Sequence, residues 1–104
     1  IMKKEQMKEI MREEMQVADD KIYDDVIASM ESRFEELKKS EINIPFIKEI
    51  GDMSFEKTVD KIIEKWANSE NTAEEINDKN VLVMRFVELP QHYSYVNALF
   101  SSEE

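Results

Sequence analysis

Residues 2–41 contain neither a glycine nor a proline, and the full 104-residue chain holds one glycine and two prolines. That scarcity limits the folds open to it. A sheet of many hairpins needs residues that turn the backbone tightly, whereas helices joined by short polar turns do not. Within 2–41 the apolar positions Met7, Met11, Met15, Ala18, Ile22, Val26, Met30, Phe34 and Leu37 recur at steps of four and three, the spacing of one helix face. Two organisations satisfy this pattern. One is a single helix of about 38 residues, far longer than the usual ~12 and in need of a partner along its length. The other breaks at "ADDKIYDD", with Asp19 or Asp20 capping a second helix. Crowded acids and weak helix formers favour the break.

Downstream, Pro45 disfavours helix at Ile44 and suits the first turn of a short helix, 45–50. An extended "INIPFI" is the alternative, confined by Pro45 to a sheet edge. Gly51 fits the left-handed position after a helix end. "DMSFEKTVDKIIEKWANS" reads as an amphipathic helix capped by Asp52 or Ser54, with Phe55, Val59, Ile62, Ile63 and Trp66 on one face. Lys57, Lys61 and Lys65 lie beside Glu56, Asp60 and Glu64, as on a solvated outer face. "ENTAEEINDKN" reads as a polar turn with a short helix from a Thr72 cap. "VLVMRFVEL", 81–89, is β-branched enough for a strand, but a lone strand has no partner, so a buried helix ended by Pro90 is favoured. A last helical turn or two runs through Tyr93, Val96, Leu99 and Phe100.

These elements predict an all-α fold, a small helical bundle of four to five helices with a long amphipathic N-terminal helix or helical hairpin. One domain spans 1–104, with an N-terminal helical arm over 2–41 and a compact helical part over 45–100. The expected core joins Phe55, Val59, Ile62, Ile63, Trp66, Leu82, Phe86 and Leu89 with Val26, Met30, Phe34 and Leu37.

Net charge is −10, from 24 acids against 14 Lys and Arg, and the bases do not cluster. Phosphate backbones and anionic membranes both require a concentrated cationic face, so neither nucleic acid nor membrane is an expected partner. An acidic chain is steered towards basic protein surfaces. No apolar run approaches 18 residues, and "IMKKEQMKEI" is too charged for a signal peptide. The lack of cysteine removes disulfides and thiolate sites and is compatible with the cytoplasm. The Lys, Glu, Ile, Asn and Asp bias suits an AT-rich genome, such as that of a bacteriophage or a low-GC bacterium.

Few groups could carry chemistry. Asp20 and Asp24 share one helix face, as do Glu31 and Glu35. Inward acids of this kind hold Mg²⁺ in all-α nucleotide phosphohydrolases. Their usual E-x-x-E pairing and a phosphate-binding base are absent here, so a solvated charged face is the simpler account. His92 is the only histidine and has no cysteine to complete a zinc site, nor a nucleophile elbow nearby. The rhythm of helix, "TAEEI", helix suggests a helix-turn-helix, but its last helix offers Val, Leu, Met and Phe with a single Arg85 rather than base-reading side chains.

No catalytic residue, cofactor or metal is therefore expected. The methionines, with Ile22 and Trp66, make an adaptable contact surface. The expected interface is Met7, Met11, Met15, Ile22 and Trp66. The expected function is helix-mediated contact with a second copy, or with a larger protein bearing a basic surface, as a regulator or inhibitor of a nucleic-acid-handling protein would make. The alternatives are a Mg²⁺-dependent phosphohydrolase and a structural or assembly helper.

Overall fold

The N-terminal stretch is two helices. In a computed structural model that describes residues 2–39, 51–67 and 70–101, α1 spans Lys4–Met15 and α2 spans Lys21–Lys39. Gln16 closes α1 in the left-handed region, φ 50°, with its N–H bonded to the Arg12 carbonyl. A left-handed residue at this place satisfies a terminal carbonyl and turns the chain away from the helix axis. Asp19 opens α2, its carboxylate accepting from the Lys21 N–H at 3.0 Å. One turn further on, buried Tyr23 clamps the link. Its hydroxyl accepts from the Val17 N–H at 2.9 Å and donates to the Val17 carbonyl at 3.1 Å.

The third helix, α3, spans Phe55–Trp66, capped by Ser54, whose hydroxyl accepts from the Lys57 N–H at 3.2 Å. Gly51 ahead of it has φ +45°, the left-handed geometry expected of it. The short helix expected over 45–50, and its extended alternative, lie outside the described residues. Phe55, Val59, Ile62 and Trp66 face the core, and Ile63 is half-buried.

The fourth helix, α4, spans Ala73–Phe86, so the short helix expected from the Thr72 cap runs on into the helix expected over 81–89, with no turn between them. Thr72 and Glu75 form a capping box, each side chain accepting the other's backbone N–H at 3.2 Å. That box starts the helix early and carries it through Ile76 and Asn80. The helix stops at Phe86, well before Pro90. Leu89, expected in the core, falls beyond the helix end and is 46% exposed. A 3₁₀ turn, Pro90–His92, leads into α5, Tyr93–Phe100. There Tyr95 is buried and Tyr93 is exposed.

The short α5 is the hub and packs against all four other helices. Its sequence, YSYVNALF, has no charged residue, as a helix surrounded by others requires. A run of rings, Phe34, Phe55, Phe86 and Phe100, links α2, α3, α4 and α5 at centroid spacings of 5.9, 6.4 and 5.6 Å. Tyr23 meets Tyr95 edge to face at 5.9 Å. The segment expected to form an arm belongs to this same core, because α1 packs on both α2 and α5. The result is an all-α bundle, with five α-helices among the described residues. Among those residues no helix is long and apolar enough to cross a membrane.

Candidate interaction face

The expected interface residues separate into two groups. Met7 and Met11 have no exposed surface, and Trp66 is 5% exposed with its indole N–H donating to the Glu75 carbonyl at 2.8 Å. These three are core in this conformation and offer no free surface to a second chain. Met15 and Ile22 are half-buried against the same core. Methionine is suited to this place because its flexible thioether fills the irregular space where α1 meets α2 and α5.

The carboxylates of α2 have also found a use. Lys4, Lys8 and Arg12 follow one another at helical spacing along α1. They meet Glu31 at 2.6 Å, Asp24 at 2.9 Å and Asp20 at 3.2 Å along antiparallel α2. Arg12 also pairs with Glu9, and its guanidinium lies 5.6 Å from the Tyr23 ring centroid. Hydrogen bonds to Glu31, Asp24 and Asp20 are the first cause holding Lys4, Lys8 and Arg12 above their ordinary pKa values. Water screens such pairs, so their main effect is to set the register of the two helices. Glu35 reaches Lys38 at 3.9 Å. Asp20, Asp24 and Glu35 are exposed and Glu31 is half-buried, each beside its own cation, so the four acids do not converge. Among the described residues no group of three or more acids and histidines is placed to hold a metal ion.

His92 is 9% exposed, and its Nδ1 has no hydrogen-bond partner among the described residues.

The surface that stands out is the outward side of α4. Leu82, Val83 and Phe86 point inwards. Around the rest of the helix lie Ala73, Ile76, Asn77, Asn80, Val81 and Met84, with the exposed charges Glu74 and Arg85 along one edge. Ile76 is 48% and Met84 54% exposed. The outward side of α3 shows what is ordinary for this chain, with Lys57, Lys61, Glu64 and Lys65 all exposed. An exposed apolar patch on a highly charged protein is a mark of contact. Val81 and Met84, with Asn80, Arg33 and Arg85, line an open groove of about 420 Å³ between α2 and α4. Arg33 is held there by its Nε donating to the Arg85 carbonyl at 3.1 Å and by an ion pair with Glu36. Arg85 has no ion-pair partner among the described residues.

Sequence reasoning missed this face because its short helix from the Thr72 cap carried only Ala73 to Ile76 and left Asn77–Asn80 in a turn. The signal was present. Thr72-x-x-Glu75 is a capping box, and Ile76, Asn80 and Met84 then follow at strict i,i+4 spacing. Comparisons with family models, curated proteins and solved structures give no match for this chain.

Proposed function

We propose that this chain is a non-enzymatic interaction protein whose contact element is the outward face of α4. One observation carries the reading: a helix face with Ile76 and Met84 about half exposed and its exposed charges confined to Glu74 and Arg85 at one edge, on a chain in which 37% of residues are charged. Such a face, beside a groove, is the setting for another helix to lie against it. A narrower form is a regulator of a protein with a basic surface. It draws support from the net charge of −10 and from the exposed carboxylates Glu13, Glu14 and Asp25 flanking the α1–α2 turn. Those groups would accelerate encounter, while α4 would supply the contact.

The test is site-specific photo-crosslinking in cells that make the protein, with benzoylphenylalanine replacing Asn77 on α4 or Lys61 on α3. A discrete adduct from position 77, absent from position 61 and lost on adding Met84→Glu, is the expected result. Equal labelling at both positions, or none at either, overturns the reading.

A further inference from the structure

We infer that Met84 is a modification site, and that oxidation of its thioether by a peroxide switches off the α4 contact. The inference rests on the reading of this face as a contact surface and adds its regulation. The chain has no cysteine, so its seven methionines are the side chains that hydrogen peroxide attacks most readily. The fold sorts them by access. Met7, Met11 and Met30 have no exposed surface. Met2, Met15 and Met53 are half-buried against the core. Met84 is 54% exposed and lines the open groove between α2 and α4. It is the methionine that peroxide reaches most freely, with no opening of the fold.

In the reaction the sulfur lone pair attacks one peroxide oxygen. An S–O bond forms and the O–O bond breaks. The released hydroxide takes the proton from the new S–OH group and leaves as water. Sulfur loses two electrons and the peroxide gains them. The product, methionine sulfoxide, is polar where the thioether was apolar. Its oxygen stands on the contact face beside Asn80 and Val81, which line the same groove. A partner that covers the face must then bury a polar group without a prepared hydrogen bond, and affinity falls. Ile76, the other large apolar residue exposed on this face, has no sulfur, so the sensitivity lies in Met84. The bundle itself is spared, because the Met84 side chain already stands half in water. The same oxygen at Met7 or Met11 would enter a closed core.

The test treats the purified protein, carrying benzoylphenylalanine at position 77, with dilute hydrogen peroxide that is then destroyed with catalase. One portion is digested, and the gain of one oxygen at each methionine is timed by mass spectrometry. Met84 is expected to be oxidised first, at least about tenfold faster than Met7, Met11 and Met30, because these have no exposed surface. The circular dichroism spectrum of the singly oxidised protein stays unchanged. The other portion is photo-crosslinked in an extract of cells that make the protein. The adduct is expected to fall about tenfold or more on oxidation and to return after treatment with methionine sulfoxide reductase. Met84→Leu keeps the adduct through peroxide, and Met84→Gln loses it without peroxide. Oxidation of Met84 no faster than Met15 or Met53 overturns the inference. An adduct that survives full oxidation of Met84 refutes the switch and leaves the contact reading intact. No adduct even before peroxide refutes the contact reading, and the switch falls with it.

Discussion

The α1–α2 seam and the outward side of α4 are both helix surfaces, and they are built in opposite ways. At the seam, Met7 and Met11 are completely covered, and three cross-helix ion pairs lie above them. On α4, apolar side chains of similar size stand in the open and no charge covers them. The same residue type, methionine, is core in the first place and surface in the second. In a chain this acidic, charge marks surface that water or a neighbouring helix already satisfies. The exposed apolar pair on α4, with charge only along one edge, is the exception, and contact is the physical use of such a face.

Paired substitutions break that comparison most strongly. Met11→Ala removes a fully buried side chain and is expected to lower the unfolding free energy by about 2–5 kcal/mol at every protein concentration. Met84→Ala, at a half-exposed position, should change it by no more than about 0.5 kcal/mol. Denaturant titration of both variants checks this, and similar losses would erase the distinction between the two regions.

A smaller effect is expected where the seam's turn is held. Tyr23→Phe removes both bonds to Val17 and should cost about 1–2 kcal/mol, because a partly buried N–H and carbonyl lose their partner. Hydrogen exchange at the Val17 amide should quicken while the α4 amides keep their protection. Uniform quickening would mean that the clamp is not local.

The smallest effect sharpens the α4 side. Glu75 is held below its ordinary pKa of 4.5, first by the backbone N–H and then by the hydroxyl of Thr72. A folded-state pKa below the unfolded value stabilises the fold above about pH 4.5, and that contribution is lost as pH falls through the lowered value. Glu75→Gln keeps an acceptor for the capping box but does not titrate. The melting temperature of the unmodified protein should therefore fall more steeply than that of the variant once pH drops below 4.5. The raised pKa values of Lys4 and Lys8 act at the other end. Their contribution is present at neutral pH and lost only as pH climbs past their ordinary 10.5. Parallel acid profiles for the two proteins would show that the α4 cap does not depend on the carboxylate.

Much of the fold was legible because it is local. Steps of three and four placed Val26, Met30, Phe34 and Leu37 on one face, and Phe55, Val59, Ile62 and Trp66 on another. All eight are buried. The acids of "ADDKIYDD" marked the break after α1, and Gly51 marked a left-handed turn. The α4 start at the Thr72 cap was legible, but its continuation through Asn77–Asn80 was missed for a definable reason. Asn77, Asp78 and Asn80 are weak helix formers, and only the Thr72–Glu75 box outweighs them.

The pattern of apolar and charged residues thus determined by itself that this chain is helical and which positions share a stripe on each helix, and it favoured a break at "ADDKIYDD" over one long helix. Those choices depend on neighbours within a turn or two, which any single sequence displays. What the tertiary structure alone decided was which apolar stripe would be covered. Met7 and Met84 lie on stripes of the same spacing, and spacing alone does not say which of them is covered. The packing of α1 against α2 and α5 covers Met7, whereas Ile76 and Met84 of α4 stay about half exposed. Burial is a property of what arrives from elsewhere in the chain, so the face left for a partner emerges only once every helix is in place.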